Sequence, residues 1–166
     1  MKNLILAATL LFGAAFAQAQ AQSKPASPRD SVETANLKIN YGRPYVKGRT
    51  IFGDLVPYDK VWRTGANQAT EITFKTDGKF AGKSVKAGTY SFFTIPGKSE
   101  WTVILNPELK QWGSMGYDNI KGKNVLEAKV SSKQLDNLVE QFTITASDKA
   151  VTLSWEKTEV TIPVKF

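Results

Sequence analysis

The stretch Ala69-Thr70-Glu71-Ile72-Thr73-Phe74-Lys75-Thr76-Asp77-Gly78 alternates in polarity and then breaks. Ile72 and Phe74 point to one face, and Glu71, Thr73 and Lys75 to the other, which is the period of a half-buried strand. Asp77-Gly78 is a two-residue hairpin signal, because its turn needs positive φ. Phe80 to Val85 then returns. The same habit recurs on both sides. Lys86-Ala87-Gly88 leads into Thr89-Tyr90-Ser91-Phe92-Phe93-Thr94-Ile95, and Pro96-Gly97 fits the centre of a type II turn. Trp101, Val103 and Leu105 alternate, as do Leu126, Ala128 and Val130.

Towards the C-terminus, Phe142 and Ile144 precede a turn at Ser147-Asp148-Lys149. Val151, Leu153 and Trp155 follow, and Lys157-Thr158 turns into Val160, Ile162, Val164 and Phe166. Pro163 cannot donate to a ladder and suits an edge strand. The one helical candidate is Ser132 to Leu138. Short alternating segments joined by tight turns indicate an all-β, single-domain antiparallel architecture. A β-sandwich is expected, with jelly-roll and immunoglobulin-like strand orders both open. Adjacent Phe92 and Phe93 require a central strand buried on both faces.

The start of the chain reads differently. Met1-Lys2-Asn3 is a short basic opening, and Leu4 to Phe16 is an apolar run too short to span a bilayer comfortably. Small residues at signal-peptidase spacing follow between Ala17 and Ala21. Residues 1–21 are expected to be a signal peptide, which makes the product periplasmic or secreted. Residues 22–36 read as a flexible lead-in, and residues 37–166 as the β-sandwich domain. No cysteine is present, so core packing alone must hold an exported fold.

The chain also has no histidine. Together these absences exclude a Ser-His-Asp triad, an imidazole base, His-ligated metal, thiol nucleophiles and iron–sulfur clusters. No phosphate-binding glycine loop occurs, and no cofactor, metal site or catalytic residue is expected. Ser154-Trp155-Glu156-Lys157 matches S-x-x-K, but on a strand its ends face opposite ways. Tyr117 and Lys121 have the spacing of a reductase pair without a dinucleotide fingerprint. Asp54, Asp59 and Glu71 could supply a glycosidase pair only if two carboxyls stood roughly 5–9 Å apart across a groove.

Positive charge is concentrated. The formal charge is +7. Between Lys38 and Arg63, six basic residues stand against Asp54 and Asp59. The same segment carries Tyr41, Tyr45, Phe52, Tyr58 and Trp62 among turn-forming Gly and Pro. Arg43, Lys47, Arg49, Arg63 and Asn67, walled by Tyr45, Tyr58 and Trp62, therefore form a candidate ligand site. A guanidinium fork matches carboxylate or phosphate. Equally, arginine can tie loop carbonyls together and stack on tryptophan. The first use implies a non-catalytic module for an anionic glycan or envelope polymer, and the second an envelope structural protein. Nucleic acid is not an expected partner.

The runs YGRPYVKGRTIFGDLVPYDKVWRTGANQATEITF (from Tyr41), KAGTYSFFTIPGKSEWTVILN (from Lys86) and Gln111-Trp112-Gly113 closely resemble a family of exported bacterial proteins, domain-of-unknown-function family 2911. The resemblance spans about Leu37 to Phe166. It implies a secreted β-domain and assigns no role to any residue. Separately, Gly88-Thr89-Tyr90 is similar to the strand entry at which many sandwich domains bond a tyrosine hydroxyl to nearby backbone.

Overall fold

The computed structural model describes residues 27–166, so the expected signal peptide lies outside the described residues. Nine strands run in chain order: β1 (Arg29–Glu33), β2 (Leu37–Gly42), β3 (Thr70–Phe74), β4 (Gly78–Phe80), β5 (Lys83–Val85), β6 (Gly88–Ile95), β7 (Glu100–Asn106), β8 (Leu126–Ala146) and β9 (Ala150–Lys165). One helical turn, α1 (Tyr117–Ile120), precedes a 3-10 turn at Lys121–Lys123. All pairings are antiparallel, in the order β1-β2-β3-β6-β7-β8-β9-β4-β5. The chain is thus a single all-β antiparallel domain, and its sheet folds over without closing.

The fold-over is made by β8 and β9. The first six residues of β8, Leu126 to Ser131, pair with β7, and residues 132–146 pair with β9. β9 is itself doubled back. The Thr152 and Thr161 hydroxyls lie 3.4 Å apart, and Ser154 Oγ donates to Glu159 Oε2 at 3.2 Å. Nine residues of straight strand would separate them by about 30 Å. The chain reverses at Glu156, where φ is +56°, beside the turn expected at Lys157-Thr158. β8 pairs with one arm of this hairpin through Ser132–Gln134 and with the other through Val139–Ala146, with register shifts between.

Several expectations are corrected. Ser132 to Leu138 is extended, not helical, because it passes around the tip of the β9 hairpin. Leu138 is exposed and has no core to face, and so short a helix is marginal alone. β3 and β4 do not form the hairpin expected at Asp77-Gly78. The Asp77 carboxylate instead accepts from Ala87 N at 2.8 Å and pairs with Lys86, and the chain crosses there to the other layer. The two-residue turn lies at Ala81-Gly82, with φ of +50° and +78°, and joins β4 to β5. Gly97 has no positive φ, so no type II turn forms. Its missing side chain instead admits the Glu100 carbonyl. Pro163 is in an interior strand, in the gap where β9 leaves β8 and takes up β4; its carbonyl accepts from Ala81 N at 2.9 Å. The lead-in expected over residues 22–36 contains β1. Val32 packs on the core, and Glu33 bridges Lys38 and Lys75 at 3.4 and 2.9 Å.

One face of every long strand fills the interior. Trp62, Trp101, Trp155, Phe52, Phe142 and Tyr41 form an aromatic centre, in which Trp62 stacks on Trp155 at 5.8 Å. β6 is buried on both faces as adjacent phenylalanines require: Phe92 joins this core, and Phe93 packs with Ala69, Ile104 and Tyr117 beneath α1. At the entry to β6, Tyr90 donates its hydroxyl to the Lys86 carbonyl at 3.1 Å.

Candidate functional site

The long connection from β2 to β3 carries the cationic segment, and three contacts pin it. Val46 N donates to the Glu140 carbonyl at 2.7 Å and Phe142 N to the Pro44 carbonyl at 2.9 Å, joining the loop to β8. Ile51, Phe52 and Val56 dip into the core. Trp62 exchanges two backbone bonds with Thr94 on β6, at 2.7 and 2.9 Å.

Immediately after Trp62 the backbone becomes strained. Thr64, Gly65 and Asn67 have φ of +52°, +154° and +64°. A buried β-branched residue at positive φ is a genuine outlier. Here it is over-determined: Thr70 Oγ1 donates to the Thr64 carbonyl at 2.6 Å, the Thr64 and Thr94 hydroxyls are 3.1 Å apart, and Trp62 Nε1 donates to the Gly65 carbonyl at 3.1 Å. Gly42 presses against this loop from β2; a Cβ there would sit 2.2 Å from the Ala66 oxygen. The two recognisable blocks YGRP and VWRTGAN are therefore locked against each other. Such strain persists where surrounding structure holds it, and it gathers at functional sites.

Beside the loop lies a cavity of about 330 Å³. Arg49, Lys60 and Arg63 line it, with Ser27, Asn67 and Ser114 as polar neighbours. Leu55, Pro57, Val61, Trp62 and Trp155 contribute apolar wall, and among the described residues no Asp or Glu lines it. Arg63 differs from the other arginines of its segment. Among the described residues its Nε is buried without a hydrogen-bond partner. Burial pushes its pKa down from the ordinary guanidinium value. Only one other buried side-chain nitrogen or oxygen among the described residues lacks a partner. It is Nε1 of Trp155, which also lines this cavity.

The other expected site residues divide. Arg49 lines the cavity while its guanidinium bonds the Val46 and Tyr45 carbonyls. Asn67 lines it and donates weakly to the Ser27 carbonyl at 3.4 Å. Trp62 forms floor rather than open wall, since it is a core residue. Arg43 lies outside the cavity and is a tie: it bonds the Phe142 carbonyl at 3.1 Å, Asp30 at 3.0 Å and Thr143 Oγ1 at 2.9 Å. Tyr45 and Lys47 sit together outside it, with the ammonium 5.9 Å from the ring centre. Tyr58 packs over Gly53.

Lys60, Leu55, Ser114 and Trp155 complete the cavity without having been expected in it. Lys60 and Leu55 belong to the segment that charge and turn chemistry mark out. Trp155 comes from β9, and no local signal ties it to Arg63. The S-x-x-K match around it is structural: Ser154 bonds Glu159, and Glu156 accepts from Ile51 N at 3.2 Å. Tyr117 accepts from Asn124 at 2.7 Å, and Lys121 pairs with Asp118. Asp54, Asp59 and Glu71 all lie outside the cavity lining, and Glu71 accepts from Lys110 N at 3.0 Å. Among the described residues no group of His, Cys, Asp and Glu could hold a metal, and no helix is long and apolar enough to cross a membrane.

Fold and site together define an all-β domain whose cation-lined loop cavity contains an arginine with no acidic partner among the described residues. The chain belongs to a family of proteins of unknown function, DUF2911, whose model matches residues 23–164. No curated protein and no solved structure matches it.

Proposed function

We propose that this chain is an exported, non-catalytic binding module that takes an anionic group in the Arg63 cavity. One observation carries the reading: a partly buried guanidinium, its Nε unbonded, lines a cavity with two further cations and no carboxylate. Arg63 is partly buried, and a charge withdrawn from water is ordinarily paired; a bound anion would supply the missing partner. The hydrolase alternative draws no support from the cavity, because none of its candidate acids lines it. Export rests on the basic opening, the apolar run and the small residues that precede the domain.

Titration calorimetry at low salt, where surface screening is weakest, tests the reading with a panel of carboxylates and phosphates. Binding that Arg63→Met abolishes and Lys47→Ala leaves unchanged is expected. Binding that ignores Arg63, or no binding of any anion, contradicts it.

A further inference from the structure

We infer that the ligand is an organic carboxylate with an apolar body, rather than an inorganic anion or a sugar acid. This rests on the anion reading of the same cavity and can fail separately from it.

Size is the first argument. About 330 Å³ is at the lower end of the range that encloses whole organic ligands, roughly 300–1,000 Å³. Phosphate or acetate would fill a small part and leave water against Leu55, Pro57 and Val61. Leu55 is 46% exposed, an apolar side chain on the cavity lining that a ligand body would cover.

Donor and acceptor balance is the second. The three cationic side chains on the lining, Arg49, Lys60 and Arg63, carry N–H donors and cannot accept. A carboxylate offers two acceptor oxygens and no donor. A sugar acid would bring several hydroxyl protons as well. The cavity has no carboxylate to accept them, and its side-chain acceptors are confined to Asn67, Ser27 and Ser114, none of them fully buried. Leaving hydroxyls unpaired on burial is unfavourable.

The test is calorimetry on the folded chain with acetate, inorganic phosphate, glucuronate, octanoate and phenylacetate, the last two distinguishing a chain-like body from a ring. Indole N–H resonances are followed in the same titrations. Octanoate or phenylacetate is expected to bind at least tenfold more tightly than the other three. Leu55→Ser should weaken the tighter acid about three- to tenfold and leave acetate unchanged. The Trp155 indole resonance, assigned by its loss in Trp155→Phe, should shift on binding. If glucuronate or phosphate binds as tightly, and does so through Arg63, the inference is overturned while the anion reading stands. If no anion binds, or Arg63→Met changes nothing, both fall.

Discussion

Replacing Arg63 by methionine should make the empty protein more stable and the liganded protein less so. Methionine keeps an unbranched chain of similar length, so the substitution opens little cavity. It removes a buried N–H that has no partner among the described residues. Such an orphan costs about 1–3 kcal/mol. Arg63 as a whole is only partly buried, so a gain at the low end, about 1 kcal/mol, is expected. For a domain of this size that is a rise of about 3 °C in Tm. With ligand at a hundred times Kd the wild type gains about 2.7 kcal/mol, and the variant gains almost nothing. The order of the two melting curves should then reverse. Calorimetric melts of both proteins, with and without the tightest acid of the panel, measure this directly. If the variant melts several degrees below wild type without ligand, Arg63 is a scaffold residue and the reasoning is refuted.

Other consequences follow from the same geometry. Gly42→Ala drives a Cβ into the Ala66 carbonyl; overpacking against backbone should cost about 3 kcal/mol or more, lowering Tm on the order of 10 °C and weakening anion binding by shifting the loop. Arg43→Ala strips three bonds that tie the residue after β2 to β1 and β8 and should cost about 1–3 kcal/mol in chemical denaturation without changing ligand affinity, the opposite signature to Arg63. Ala81→Asn should stabilise by about 0.5–1 kcal/mol, because Ala81 holds a left-handed conformation in a turn that favours Asn-Gly. The hydrogen bond from Lys75, reinforced by the Lys38 charge, holds the Glu33 carboxyl below its ordinary 4.5. A depressed acid contributes stability above its unfolded value and loses it as pH falls through the folded one, so the contribution disappears in acid below 4.5. A carbon-detected NMR titration should place the Glu33 midpoint under 4.5, and Lys75→Gln should move it upward.

The β-architecture was legible wherever one face alternates against one core. Trp101-Val103-Leu105 and Leu126-Ala128-Val130 read correctly because burial imposes period two on them. Phe92-Phe93 announced a strand covered on both sides for the same reason. What failed were features decided by distant partners. β1 has only Val32 to bury, and β2 pairing holds it. Ser132 to Leu138 follows the tip of a hairpin some twenty residues later in the chain. Asp77-Gly78 has the composition of a tight turn, yet its carboxylate is engaged by Lys86 and the Ala87 N–H. The cavity was half legible. Charge and turn chemistry marked the segment containing Arg49, Trp62, Arg63 and Asn67, but composition does not distinguish a bonded guanidinium from a free one. Arg43 and Arg63 look alike in sequence and have opposite surroundings. Trp155 enters only through the sheet order, which brings β9 against the loop.

The most direct measurement is the Arg63 Nε–H resonance in a nitrogen-resolved spectrum, assigned by its loss in Arg63→Met and followed while an apolar carboxylate is added. A saturable shift with the same dissociation constant as calorimetry, together with slowed exchange of that proton, is the expected result. An acid that binds while the Arg63 Nε–H stays unmoved would contradict the account.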